Sequence, residues 1–242
     1  MTRPFTQVQN RLLLALPQED YALIAPQLAQ VDLERGRLLY DPGDPIDTVY
    51  FPHDGVISLM TLMENGAAIE VATIGREGAF GLTAAISARQ SLSRAIIQTP
   101  VRASRISASA LHEAWSRSAR IRDLIDRHNE ALFGHAIQSV ACNALHSVEA
   151  RFCRWLLTCH DRISSDTVAL TQEFLADMLG VQRTTVTAVA RALQEKGAIR
   201  YRRGVVEILD RQVLQQLTCE CYGVIHATYE RLLPEPAGAK AG

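Results

Sequence analysis

No stretch of this 242-residue sequence is apolar for long enough to cross a bilayer; runs such as 56–63 fall far short of the ~20 residues that task requires. The first residues lack the basic start, apolar centre and small-residue cleavage site of a secretory leader, which predicts a cytoplasmic protein with no membrane partner. Cysteine is missing from the first half altogether. Cys142, Cys153, Cys159, Cys219 and Cys221 form an odd set, which argues against a disulfide framework and fits a reducing compartment. A charge bias is missing too: 25 basic residues face 26 acidic ones, so any attraction to nucleic acid has to come from local charge. There is no HExxH, no nucleophile elbow and no phosphate cradle, because residues 75–81 (GREGAFG) lack the following Lys-Ser/Thr. The expectation is a non-enzyme. What the chain does have is 48% hydrophobic and 21% charged residues, enough for one large domain or two ordinary ones.

Residues 31–106 form a series of short apolar segments separated by turn chemistry. Asp41-Pro42-Gly43-Asp44-Pro45, His53-Asp54-Gly55 and Glu64-Asn65-Gly66 bracket strands at 49–51 and 56–62, and a third follows at 68–74. Asn-Gly between two such runs is a strong hairpin signal, because both central residues tolerate positive φ. Two more strands are expected at 95–99 and 101–106, and their even spacing suggests a compact β-sandwich or roll. From 108 to 160 there is one Gly and no Pro. Ile121, Leu124, Ile125, His128, Leu132, His135, Ser139 and Cys142 recur at three-, four- and seven-residue steps, the stripe of one long helix that is expected to pair with a second copy. Val148, Phe152, Trp155, Leu156 and Cys159 mark a second helix. The overall expectation is an α+β chain. Its parts are N-terminal helices and a β-roll (1–110), a dimerisation helix (111–145), a C-terminal domain of short helices and a small hairpin (146–232) and a disordered tail (233–242).

The sharpest signal runs from Gln172 to Arg191, QEFLADMLGVQRTTVTAVAR. Leu175 and Leu179 lie one turn apart on a first helix, and Ala176 offers a small surface for a second helix to cross. Gly180 can take the left-handed conformation that ends the first helix, and Thr171 can cap its start. Val181 plugs the turn, and Val186, Val189 and Leu193 form the inner face of a second helix. Its outer face then carries Gln182, Arg183, Thr184, Thr185, Thr187, Ala188 and Arg191. These are residue types that read base edges: Arg pairs with guanine, Gln with adenine, and Thr offers a hydroxyl and a methyl. Between 183 and 203 six basic residues face one acid, Glu195. After the second helix, two short strands around Arg202, Arg203 and Gly204 form a basic wing suited to phosphates.

At this point the chain resembles the cyclic-AMP receptor/fumarate–nitrate regulator (Crp/Fnr) superfamily over almost its whole length. The motifs that carry the resemblance are GREGAFG, LTQEFLADMLGVQRTTVTAVARALQEKGAI and YRRGVVEI. The resemblance implies a cyclic-nucleotide-binding-type β-roll, a long dimerisation helix and a C-terminal winged helix-turn-helix. It further implies a transcription regulator that acts as a homodimer on near-palindromic double-stranded DNA and has RNA polymerase as a further partner. It places the effector pocket around Gly75, Glu77, Gly81, Leu82 and Arg94. Relatives that bind cyclic AMP carry Gly-Glu after the Phe, whereas here Phe80-Gly81 is followed by Leu82. The Ser93-Arg94-Ala95 segment does not align with their phosphate-binding Arg-Ser pair. Iron–sulfur members use an N-terminal cysteine cluster, absent here. Cyclic AMP is therefore not expected, and no cofactor is. Many members present Arg-Glu and a second Arg on the recognition helix. Here Arg183-Thr184 and Ala188 stand instead, so only Arg183 is carried over.

Two patterns remain outside this reading. His128, His135 and Cys142 could ligate a soft metal, but residues seven apart lie roughly 10 Å apart along a helix, so one helix cannot bring all three to one ion. Cys219-Glu220-Cys221 lacks a second pair, which leaves buried structural cysteines or a thiol switch as its readings. A small-molecule-binding module, or a thiol or metal redox sensor acting without direct DNA contact, is the rival class. It predicts no salt-sensitive DNA affinity.

Overall fold

The structure, a computed structural model, describes residues 9–87 and 90–233; the expected tail from 234 onward lies outside the described residues. Two short helices come first, α1 (Arg11–Ala15) and α2 (Gln18–Ile24). Asn10 caps α1 by accepting hydrogen bonds from Leu12 N and Leu13 N, and its amide donates to Pro52 O and Gly78 O, which anchors the helix to the roll. Seven strands follow: β1 (Ala29–Leu33), β2 (Leu38–Tyr40), β3 (Thr48–Asp54), β4 (Ile57–Leu62), β5 (Ala68–Ile74), β6 (Arg94–Ile97) and β7 (Val101–Ser107). One further helix, α3 (Leu82–Ile86), interrupts them. They make two antiparallel sheets, β1-β7-β3 and β2-β6-β4-β5, with Ile57 paired to Ile74 on one side and Ile97 on the other. The Asn65-Gly66 hairpin closes β4 on β5, but only Gly66 (φ 84°) takes positive φ, and Leu62 pairs with Ala68, so the loop is longer than the two-residue form in which both central residues do. The third strand runs on past Phe51 to Asp54, although Pro52 has no donor for the ladder. A register shift between Pro52 and Asp54 absorbs it.

Helix α4 (Ala108–Arg117) spans the boundary expected at 110/111, and the long helix α5 (Ala119–Leu145) begins only after Ser118. That residue is extended (φ −121°, ψ 120°), and its Oγ caps α5 at Ile121 N while donating to Asp20, so one hydroxyl ends one helix run and starts the next. The remaining elements are α6 (Val148–His160), β8 (Thr167–Ala169), α7 (Gln172–Leu179), α8 (Arg183–Glu195), β9 (Ile199–Arg202), β10 (Val205–Ile208), α9 (Arg211–Leu217) and α10 (Cys221–Leu232). The small sheet has the order β8-β10-β9. Among the described residues no helix is long and apolar enough to cross a membrane.

The long helix corrects the expected dimer seam. Ile121, Leu124, Ile125, His128, His135, Ser139 and Cys142 are buried within the single chain, where α5 packs on β5, α4 and α10. The His128 Nε2 accepts a hydrogen bond from Ala79 N (3.2 Å), and burial pushes its pKa down to about 4, so it is a neutral core imidazole. The His135 ring meets Tyr229 edge-on at 6.1 Å. The opposite face stays bare: Phe133, Ile137 and Val140 are 68%, 55% and 68% exposed, and Ala144 is exposed in line with them. Steps of four, three and four residues put these four side chains on one seam. Helix α5 is apolar on two faces, and the sequence stripe had picked out the inward one.

Candidate nucleic-acid interface

The crossing of α7 and α8 follows from a few residues. Thr171 caps α7 by accepting from Phe174 N, and Gly180 ends it in the left-handed conformation (φ 61°) that a side-chain-bearing residue rarely adopts. Leu175, Ala176 and Leu179 on α7 and Val186, Ala190 and Leu193 on α8 are buried against one another, while Val181 and Val189 are half-buried beside them. With that side sealed, Gln182, Arg183, Thr184, Thr187, Ala188 and Arg191 are exposed on the other side of α8 and Thr185 is half-buried. Gln182 occupies the N-cap position, so Arg183 begins the helix.

The wing is a two-residue turn. Arg202 pairs with Val205 across it, and Arg203 (φ 49°) and Gly204 (φ 75°) both take positive φ, the geometry of a tight hairpin. The wing, α7 and α8 enclose a shallow groove of about 560 Å³ lined by Thr171, Gln172, Arg183, Thr187, Arg191 and Arg203 among others. Gln172, which the sequence marks only as the start of the motif, organises this surface: its carbonyl accepts from Arg183 Nε (3.3 Å) and Thr187 Oγ1 (3.0 Å).

The charge count in the window overstates the free positive charge. Acids from elsewhere in the chain reach back: Arg183 pairs with Glu173 (2.8 Å), Lys196 with Glu149 (2.5 Å) and Arg200 with Glu207 (2.7 Å), while Arg191 pairs with Glu195 (2.9 Å). Among the described residues neither Arg202 nor Arg203 has an ion-pair partner, and both are exposed. A window of sequence cannot see acids that only folding delivers.

The residues expected around an effector are engaged separately. Glu77 forms a buried ion pair with Arg162 of the α6–β8 loop (2.6 Å) and also accepts from Gly75 N (3.0 Å). Arg162 hydrogen-bonds Thr73 as well, and a side chain at Gly75 would lie 2.5 Å from it, so this glycine is required by close approach. Gly81 (φ 90°) leads into α3, and Leu82 is buried among Leu12, Phe51 and Leu124 beside an apolar cavity of about 20 Å³. Arg94 pairs with Asp41 (2.6 Å) on the roll's surface.

Comparison with known proteins reaches both halves. Residues 150–217 match the Crp-like helix-turn-helix domain, and residues 30–118 match the cyclic nucleotide-binding domain. The global nitrogen regulator of Nostoc sp. is 26% identical over 176 residues, covering 69% of this chain and 78% of that protein. The global nitrogen regulator of Synechococcus elongatus is 22% identical over 218 residues, covering 86% and 97%. Among solved structures, FixK2 from Bradyrhizobium japonicum superposes with a TM-score of 0.67 at 18% identity, covering 79% of this chain and 98% of its own. A Crp/Fnr-family transcriptional regulator from Thermus thermophilus superposes with a TM-score of 0.62 at 22% identity, covering 78% and 97%.

Proposed function

Because this chain belongs to the Crp/Fnr family of DNA-binding transcription regulators, joining a sensor roll to a Crp-like helix-turn-helix, we propose that it reads near-palindromic double-stranded DNA as a homodimer. One observation carries the proposal: Arg183 stands at the first turn of α8 on the face left open once Val186, Ala190 and Leu193 are sealed, beside a wing whose two unpaired arginines face solvent. The N-terminal end of such a helix enters the major groove, and half-sites then lie one turn apart, about 34 Å. The exposed seam of α5 supports pairing of two copies. RNA polymerase is the further partner this reading implies.

The roles of the arginines separate on measurement. Arg183→Ala removes the candidate base reader, so it is expected to cost about 1–3 kcal/mol on the best operator and to relax guanine preference at one position per half-site. Arg203→Asn keeps a residue that tolerates positive φ while removing a phosphate contact. It is expected to weaken all sequences alike and to flatten the salt dependence by about one unit of slope. Binding to single-base operator variants at two salt concentrations tests both. An Arg183→Ala protein with weaker affinity but unchanged base preferences would refute the reader role, and a wild type without salt-sensitive affinity would favour a sensor that never touches DNA.

The effector is not cyclic AMP in this proposal. Leu82 stands where the binding relatives place a carboxylate, and it is packed into an apolar core. A ribose hydroxyl buried without that acceptor loses about 1–3 kcal/mol. Calorimetry is expected to detect no saturable cyclic-AMP binding; competitive binding in the low micromolar range would overturn this.

A further inference from the structure

Four ligand-type side chains from distant parts of the chain meet where α5 ends. Cys142 lies in the last turn of α5, His146 caps that helix, Cys219 sits between α9 and α10, and Cys221 opens α10. Their ligand atoms all lie within 4.8 Å of one another. The Cys142 and Cys219 sulfurs are 3.5 Å apart, and Cys221 Sγ is 3.5 Å from His146 Nδ1. In a tetrahedral site with Zn–S near 2.3 Å and Zn–N near 2.0 Å, neighbouring ligand atoms stand about 3.5–3.8 Å apart. The cluster is thus close to the dimensions of one coordination shell. All three cysteines are buried and His146 is half-buried.

The surroundings are those of ligands rather than of idle core thiols. The second ring nitrogen of His146, Nε2, lies 3.2 Å from a Glu220 carboxylate oxygen, which leaves Nδ1 directed at the sulfurs. A carboxylate on the far nitrogen is how proteins orient a metal-bound imidazole. The Gln138 amide donates to Cys221 Sγ at 3.0 Å, a contact that suits a thiolate. Two buried guanidiniums of α6, Arg151 and Arg154, act electrostatically on Cys142 and offset the negative charge that three thiolates bring.

We propose that Cys142, His146, Cys219 and Cys221 hold one thiophilic divalent ion, zinc in chemical class, in a closed tetrahedral site. Three sulfurs and one nitrogen exclude the hard cations that prefer oxygen, calcium and magnesium. Four protein ligands leave no open position, so the ion is a clamp rather than a catalyst. It ties the end of α5 to the last helix of the DNA-binding part across the turn at His146-Ser147. The sequence carried the signal in a form easily passed over: Cys142 and His146 are four apart on one helix face, and they supply the second pair that Cys219-x-Cys221 lacks.

The test uses the full-length chain, untagged and kept reduced. Elemental analysis is expected to find about one zinc per chain, and zinc X-ray absorption three sulfurs and one nitrogen. Cobalt(II) supplied to zinc-depleted protein is expected to give the intense visible bands of a tetrahedral thiolate site. Cys142→Ser with Cys219→Ser should lower metal content at least about tenfold, and Cys159→Ala, a buried cysteine outside the cluster, should leave it unchanged. Should the double variant fail to fold, His146→Asn and the cobalt spectrum of the wild type decide the matter. A folded wild type that takes up neither zinc nor cobalt, a Cys142–Cys219 disulfide in its place, or full metal content in the double variant would overturn the proposal.

Discussion

Phe133→Asp combined with Val140→Asp is expected to yield a folded monomer at micromolar concentration, with operator affinity reduced at least about a hundredfold. Both side chains are 68% exposed in the single chain, so the substitutions place new charge in water as long as the chain stays alone. In a dimer joined through α5, the same carboxylates are buried without partners along the seam, which costs several kcal/mol. Loss of the dimer also removes the tethering that makes the second half-site contact intramolecular, worth roughly two to four orders of magnitude. The contrasting change is Leu124→Asp, at a side chain only 7% exposed in the core of one chain, which should unfold the protein rather than dissociate it. Sedimentation velocity, circular dichroism and operator titration together decide. A double variant that remains fully dimeric removes the seam from Phe133 and Val140.

Glu77→Ala is expected to lower the stability of the chain by about 3–5 kcal/mol, because it strands the Arg162 guanidinium in the interior. The two side chains are 10% and 6% exposed, and their 2.6 Å contact joins the turn after β5 to the loop after α6. Glu77→Gln together with Arg162→Met removes both charges at once and should recover much of the loss. Urea unfolding of the wild type and of both variants is the measurement. If Glu77→Ala costs less than about 1 kcal/mol, the carboxylate is not held by Arg162 in solution and regains its standing as an effector contact.

What the sequence disclosed and what it hid divide along physical lines. The turns at Gly66 and Gly180 were legible because a positive φ requirement writes itself into residue type, whereas the negative φ of Asn65 beside Gly66 was not. The sealed face of α8 was legible because Val186 and Leu193 repeat at helical spacing beside Ala176. The exposed apolar face of α5 was not, since periodicity finds apolar faces but does not say which neighbour covers each; the inward stripe is the longer pattern, and it hides Phe133, Ile137 and Val140. Free charge on the interface was misjudged because Glu173, Glu149 and Glu207 lie outside the window that holds their partners. Arg162 and Glu77 are 85 positions apart, and no local pattern joins them. The short strands β1 and β2 escaped for a simpler reason: few of their side chains are buried, so hydrophobic spacing is weak there.

The two apolar faces of α5 have a consequence for how far apart the working parts of a dimer stand. One helix with its side chains is only about 10 Å thick. On one side of that thickness His128 receives the amide of Ala79 in the GREGAFG turn; on the other, five residues further along, Phe133 is exposed. In the proposed dimer the helix is a party wall between the sensor of one subunit and the body of its neighbour. A disturbance at the sensor turn has only to tilt or roll this single rod to be felt next door, so communication between subunits needs no chain of relays.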